Sequence, residues 1–269
     1  MGFSILIVLR RGIILCKGQG EDCGFPDPES GTRGARPVES VEEELCMTFQ
    51  VAMVGSDGII AGSDRKIGVR DTHSGESLND AGPWQFSSAT KILTSADKEV
   101  ICLFAGTFRS RTLARQICEE ADPIKGELAW ETWLHDCATS QGGFVASGDE
   151  VIVIRKKVLD RFVHVIPGQT GSAHDNEGFL CTGTRLTARY LPYRFYKPLP
   201  VAALRDLVLL TLDSARRERP SEIGGGWNLL EISSTGVVPT EYSEEDQRIV
   251  AVRERFDRAA KSAILAINS

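Results

Sequence analysis

Residues 47–65 have the sequence MTFQVAMVGSDGIIAGSDR, and their pattern governs the architecture expected for the rest of the chain. Two apolar runs lie on either side of Asp57-Gly58, and glycine tolerates the positive φ of a narrow turn between two strands. The pattern predicts a β-hairpin that returns the chain from Thr48 to Asp64. If the chain is cut before Thr48, this residue carries a hydroxyl nucleophile and a free α-amine, one recognised way of activating a weak alcohol.

Four residues continue the pattern along the chain. Asp64 follows Thr48 by sixteen positions. Lys91 opens a later short strand, and Gly106 ends the apolar strand after it. In this order they resemble the N-terminal-nucleophile (Ntn) hydrolases, and most closely the catalytic β-type subunits of the proteasome and their bacterial relatives. The resemblance covers residues 48 to about 236 and implies an α+β fold, the four-layer α-β-β-α sandwich of the Ntn hydrolases.

The same resemblance implies a role for each residue. Thr48 Oγ would attack a peptide or amide carbonyl, and its own α-amine, with an ordinary pKa of about 7.7–8.0, would accept the proton. Lys91 would disfavour protonation of that amine, and Asp64 would keep Lys91 charged and oriented. The Gly106 N–H would donate to the developing oxyanion. Each residue alone has an ordinary structural explanation, but the order and spacing of all four favour catalysis.

Two regions depart from the family pattern. The interval between Asp64 and Lys91 is longer than usual, and the excess lies in residues 71–86, whose Ser, Gly, Asn and Asp content predicts an inserted surface loop. In the family, a serine and an aspartate late in the chain polarise the terminal amine. Thr184 and Ser221 are the candidates for that role, and an equivalent aspartate is not evident.

Substrate preference is indicated by two bulky residues. The resemblance places Ile67 and Phe108 near the pocket for the residue before the scissile bond. We therefore expect a narrow pocket that prefers small or slender side chains, or a substrate other than a long peptide.

Three functions stay open on the sequence. The first is a threonine-dependent hydrolase of a peptide or amide substrate, which by resemblance assembles as a homo-oligomeric ring. The second is a non-catalytic ring or scaffold subunit of the same fold. The third is an Ntn amidase acting on a small molecule, which the insertion at 71–86 would favour if it covered the site.

Composition restricts the class of protein. The 269 residues, 42% of them hydrophobic, allow one sizeable domain with extensions. A formal charge of −6 and a pI near 5.4 argue against a nucleic-acid-binding protein. Seven cysteines without a CxxC pair favour a reducing compartment, so we expect a cytoplasmic protein. His135 and Cys137 make only half of a metal site, and nothing in the sequence calls for a cofactor.

Residues 1–47 differ in character from the domain predicted for residues 48–269. The apolar run 3–9 is too short to cross a bilayer and has no small-residue cleavage site after it, so we expect neither a membrane anchor nor a secretory signal. Residues 17–37 are rich in Gly, Pro and charge, and we expect them to be disordered. We also expect residues 1–47 as a whole to form a disordered extension that does not join the core.

Three interpretations of this extension stay open. It is a propeptide cut away to free Thr48, a regulatory tail, or a segment outside the natural product. The third is favoured by Glu42-Glu43-Glu44, because purine-only codons at that distance before Met47 have the spacing of a bacterial ribosome-binding site.

Hydrophobic periodicity predicts the remaining elements. Further strands are predicted at 91–95, 99–105, 144–154, 162–166, 178–182 and 227–233. Helices are predicted at 107–121, 128–137, 185–191, 201–217 and 241–268. The third of these helices is expected to stop or kink at Pro192.

Overall fold

A computed structural model describes most of the chain after residue 40. The described residues are 41–46, 48–72, 85–121, 126–140, 148–168, 172–174, 178–184 and 186–267. The strands are, in chain order, β1 Val41–Cys46, β2 Phe49–Val54, β3 Ile59–Asp64, β4 Lys66–Thr72, β5 Gln85–Ser88, β6 Ile92–Thr94, β7 Val100–Thr107, β8 Glu150–Arg155, β9 Val158–Val165, β10 Ser172–His174, β11 Phe179–Gly183, β12 Trp227–Ser233 and β13 Gly236–Tyr242. The helices are α1 Phe108–Glu120, α2 Glu127–Ser140, α3 Tyr190–Phe195, α4 Val201–Glu218 and α5 Gln247–Ile267, and a 3₁₀ turn at Thr187–Arg189 precedes α3.

These strands form two antiparallel sheets. The larger sheet has the order β10-β9-β8-β7-β1-β4-β5, with β6 paired to β7 beside this path. The smaller sheet has the order β11-β2-β3-β12-β13. Strands β2 and β3 occupy the centre of the smaller sheet, so the hairpin predicted from residues 47–65 is confirmed.

Three hydrophobic clusters separate four layers. The cluster between α1, α2 and the larger sheet includes Phe104, Leu113, Ile117, Trp130 and Val151. The cluster between the two sheets includes Ala52, Ile101, Ile152 and Leu230. The cluster between the smaller sheet and α4 includes Val51, Leu204, Val208, Leu212 and Leu229. One face of α4 carries buried residues at intervals of three and four, namely Val201, Leu204, Val208, Leu212 and Ala215. The predicted α+β class and four-layer α-β-β-α sandwich are confirmed.

The turn between β2 and β3 needs glycine for a reason other than the expected one. Gly58 is not among the glycines with positive φ. Instead, a Cβ at Gly58 would lie only 2.2 Å from the carbonyl oxygen of Ile232 in β12. The close approach of a neighbouring strand therefore explains this glycine.

The end of the N-terminal extension differs from expectation. Residues 41–46 form β1, which pairs with β4 through partners such as Leu45 and Gly68 and with β7 through Cys46 and Gly106. These six residues therefore join the larger sheet, although we expected the extension to stay outside the core. Residues 1–40 and Met47 lie outside the described residues.

Other differences concern edges and a proline. Both ends of the expected loop 71–86 are strand, since residues 71–72 belong to β4 and residues 85–86 to β5, and these two strands pair with each other. Residues 73–84 lie outside the described residues. The helix predicted at 241–268 begins only at Gln247, because the chain first forms β13 at the edge of the smaller sheet. Pro192 does not stop α3, since it lies in the first turn, where a helix needs no N–H from it.

Candidate active site

A buried ion pair lies at the end of β3. Lys91 Nζ donates to Asp64 Oδ1 at 2.9 Å, and both side chains are fully buried. Burial raises the pKa of Asp64, and the neighbouring Lys91 ammonium is the largest opposing influence. A charge in such surroundings is tolerated only with a partner, so each residue depends on the other.

Backbone donors hold the Asp64 carboxylate in place. Oδ1 also accepts from the Phe49 N–H at 3.1 Å. Oδ2 accepts from the N–H groups of Lys66 at 3.3 Å and Gly224 at 3.4 Å. Because Phe49 directly follows Thr48, its hydrogen bond brings Thr48 beside the ion pair. The structure thus brings together the three residues that the sequence spacing singled out.

Thr48 itself is almost fully buried, with 1% of its surface exposed. Its hydroxyl oxygen has no hydrogen-bond partner among the described residues. Its carbonyl oxygen accepts from the Thr184 N–H at 2.8 Å. The neighbouring Gly183 has φ +84°, and a Cβ there would lie 2.0 Å from the Thr48 carbonyl oxygen. Thr184 therefore contacts Thr48 through its main chain, and its amine-polarising role stays a prediction.

Phe104, two residues before Gly106 in β7, is hydrogen-bonded to Gln50 and to Lys91. The Gln50 side chain donates to the Phe104 carbonyl at 2.5 Å, and the Phe104 N–H donates to the Lys91 carbonyl at 3.1 Å. Gly106 has φ +101°, and a Cβ there would lie 2.3 Å from Asp149 Oδ1. Both the backbone conformation and the close approach therefore require glycine.

Sequence reasoning missed two acidic residues of this region. Asp149 is 1% exposed and accepts from both the N–H and the hydroxyl of Thr107, directly after Gly106. Glu150 Oε2 accepts from the Gly183 N–H at 3.0 Å. The available signal was an Asp-Glu pair at the start of an apolar strand, where a buried carboxylate needs a nearby partner.

The remaining candidates from the sequence are Ser221, Ile67 and Phe108. Ser221 is exposed, and its carbonyl accepts from Lys66 Nζ at 2.7 Å. Among the residues described, no hydrogen bond joins Ser221 to Thr48. Ile67 is buried in β4, whereas Phe108 at the start of α1 is 57% exposed. The amine-polarising role of Ser221 and the pocket role of Ile67 and Phe108 stay predictions.

Strand β1 pairs with two strands that border this site. It lies between β4 and the end of β7, and Cys46 pairs with Gly106. The backbone edges beside the proposed oxyanion donor are therefore occupied by the residues just before Thr48.

The described residues show neither a metal-binding cluster nor a membrane-spanning helix. No group of three or more His, Cys, Asp or Glu side chains there has the arrangement of a metal site. None of the helices described has both the length and the apolar composition needed to cross a bilayer.

The fold is shared with solved structures of Anbu proteins. A mutant Anbu from Hyphomicrobium sp. strain MC1 superposes with a TM-score of 0.62 at 15% identity, covering 82% of this chain and 100% of that one. Anbu from Yersinia bercovieri, described as an ancestral beta-subunit, gives 0.61 at 15% identity, over 81% and 97% of the two chains. Anbu from Pseudomonas aeruginosa, described as a helical assembly, gives 0.58 at 16% identity, over 81% and 96%.

The comparisons correct the family expected from the sequence. No protein-family model matches the chain, and no curated protein matches it in sequence. The resemblance pointed to the catalytic β-type subunits of the proteasome, but the structural similarity is to Anbu proteins, so that assignment is wrong. At this level of identity the similarity establishes the fold alone.

Proposed function

We propose that residues 48–267 form a threonine-dependent hydrolase of peptide or amide bonds, active once the chain begins at Thr48. The observation that carries this proposal is the Asp64 carboxylate, which accepts from Lys91 Nζ and from the N–H that follows Thr48. The buried Thr48 hydroxyl adds support, because no hydrogen bond to another described residue engages its oxygen.

The chemistry follows from a free amine on Thr48. Thr48 Oγ attacks the carbonyl carbon, and its proton passes to the α-amine directly or through a water. The Gly106 N–H donates to the oxyanion, a contribution of a few kcal/mol. Collapse of the intermediate gives the proton to the leaving amine and leaves an ester on Thr48. Water then attacks this ester, with the α-amine again taking the proton.

Lys91 and Asp64 have supporting roles in this proposal. The Lys91 ammonium is a fixed positive charge that disfavours protonation of a nearby amine and favours ionisation of the attacking hydroxyl. Asp64 holds the ammonium in position and accounts for its presence in a fully buried place.

The pairing of β1 supports a peptide as the substrate. This strand pairs with β4 and the end of β7, so those edges accept an extended backbone. We propose that a peptide pairs there once residues 41–46 are gone, and that the chain retaining them is inactive. This favours the propeptide interpretation of the N-terminal extension and a peptide over a small-molecule substrate.

Assembly is part of the proposal. The Anbu structure from Pseudomonas aeruginosa is described as a helical assembly. We propose that this chain also forms a homo-oligomer, which light scattering coupled to size-exclusion chromatography would detect as a mass several times that of one chain.

The test compares full-length protein with protein released from a fusion so that Thr48 is its first residue. Hydrolysis of short fluorogenic peptides should occur only with the second form. Thr48→Ala should reduce the rate by about 10³-fold or more, while Thr48→Ser should keep part of it. Activity of Thr48→Ala equal to that of the parent would refute the nucleophile.

Inactivity of every form would favour the non-catalytic scaffold subunit, which is the second candidate. Intact-mass spectrometry of the natural protein separates the two further. A mass that begins at Thr48 supports catalysis, and retained Met47 blocks the amine and argues against it.

A further inference from the structure

A cavity lies at the flank of the sandwich, between β6 of the larger sheet and the β12-β13 hairpin of the smaller one. Its volume is about 230 Å³. The side chains that line it include the apolar Ile92, Leu230, Val237 and Pro239 and the polar Thr90 and Asn228. Thr48, Asp64 and Lys91 do not line it, so it is separate from the site described above.

Asn228 belongs to a row of polar residues that crosses the smaller sheet. Directly opposite partners in an antiparallel sheet share one face. The register gives the row Thr182, Gln50, Ser63, Asn228 and Glu241. Asn228 therefore belongs to a polar row on the face that meets the other sheet.

The other members of this row have hydrogen-bond partners. Thr182 Oγ1 donates to Gln50 Oε1 at 3.1 Å, and Ser63 Oγ donates to the Asp64 carbonyl at 3.0 Å. Glu241 pairs with Arg65 at 2.7 Å. Asn228 is 7% exposed, and neither its amide oxygen nor its amide nitrogen has a partner among the described residues.

An amide left in this state is destabilising, because it has lost water without gaining a partner. Buried unpartnered groups of this kind call for an explanation, and a ligand is one. Asn228 offers a donor and an acceptor side by side, which a carboxamide group complements. Apolar and polar residues both line the cavity, and Lys98 and Glu241 contribute opposite charges to the lining, which favours an uncharged ligand.

We infer that this cavity binds a small uncharged carboxamide, whose amide pairs with Asn228 and whose apolar body contacts Ile92, Leu230 and Val237. A volume of about 230 Å³ has room for about eight waters, which limits the ligand to a small molecule. The cavity adjoins the strands of the candidate active site, since Thr90 precedes Lys91. The inference does not depend on the proposed hydrolase, because its test measures binding.

The test uses benzamide as the probe and acetophenone as its matched control. Acetophenone has the same shape and the carbonyl but carries a methyl group in place of the amide nitrogen. Ligand-observed saturation-transfer NMR on the full-length protein should show saturable benzamide binding. Acetophenone should bind about tenfold more weakly, because it lacks the donor.

Three variants locate the site. Asn228→Leu should weaken benzamide binding by about tenfold or more and raise the melting temperature by about 2–8 °C, because it removes two buried unpartnered atoms. Val237→Phe should fill the cavity and abolish binding while keeping Asn228. Val238→Phe is the matched control, since Val238 lies next to Val237 on the opposite face of β13 and is 58% exposed; it should bind benzamide like the parent.

Several results would overturn the inference. Absence of saturable benzamide binding would do so, as would equal binding of benzamide and acetophenone. Unchanged binding in Val237→Phe would place the probe elsewhere, even if Asn228→Leu failed to fold. A lower melting temperature in a folded Asn228→Leu protein would mean that ordered water already partners the amide, and the cavity would then need no ligand.

Discussion

Replacing Asp64 by asparagine should damage both stability and activity. The substitution keeps the shape of the side chain but removes the negative charge from a carboxylate that accepts from four donors. Lys91 would remain fully buried without its counter-charge. Breaking a buried pair in this way costs about 3–5 kcal/mol. At about 2–4 °C per kcal/mol for a domain of this size, the melting temperature should fall by about 6–20 °C.

Urea unfolding of the chain that begins at Thr48, followed by tryptophan fluorescence, measures the free energy of unfolding. Glu99→Gln is the matched control, because the Glu99–Lys156 pair is partly exposed and its loss should cost less than about 1 kcal/mol. The double variant Asp64→Asn with Lys91→Met should be more stable than the sum of the two single changes implies, since no charge is left unpaired. A loss in Asp64→Asn no larger than in Glu99→Gln would refute the reasoning.

Three further predictions concern the surroundings of the site. Gly183→Ala should destabilise the protein by about 3 kcal/mol in urea unfolding, because residue 183 has φ +84° and its new Cβ would clash with the Thr48 carbonyl. Gly236→Ala, with open space around it, should change the stability little. Equal effects of the two substitutions would contradict the clash. Asp149→Asn should lower kcat of the processed enzyme by about tenfold or more with a smaller change in KM, because this carboxylate holds the end of β7, which carries the proposed oxyanion donor. An unchanged kcat would remove that role. Burial raises the pKa of Cys137 to about 11, so only about one Cys137 thiol in a thousand is ionised at pH 8. Alkylation of Cys137 by iodoacetamide, mapped by mass spectrometry, should therefore be slow at pH 8 and should become about tenfold faster with each pH unit toward pH 11. Rapid labelling at pH 8 would contradict the burial.

The hairpin and the ion pair could be predicted because their signals are short in sequence or tied to fixed spacing. Asp57-Gly58 between apolar runs predicted β2 and β3, and the hairpin by itself returns Asp64 to the level of Thr48. Lys91 was found by its place at the head of a short strand. The spacing identified the positions but did not choose between families of this fold.

The rest depended on contacts between distant parts of the chain. Asp149 meets Thr107 across forty-two positions, and no local pattern marks such a pairing. The pairing of β1 with β4 and β7 joins a polar segment to two strand edges, and composition alone indicated disorder. Strand β13 was also missed. It lies at the edge of the smaller sheet and pairs with β12 alone, and the sequence of an edge strand does not reveal such a pairing.

The most direct measurement of the central claim is the site at which an electrophile is trapped. A peptidyl β-lactone acylates a hydroxyl nucleophile by ring opening, and tandem mass spectrometry locates the adduct. We expect one adduct, on Thr48, in protein that begins at Thr48, and none in full-length protein or in Thr48→Ala. An adduct on another residue, or labelling of the full-length chain at the same rate, would contradict the claim that an exposed amine on Thr48 activates its own hydroxyl.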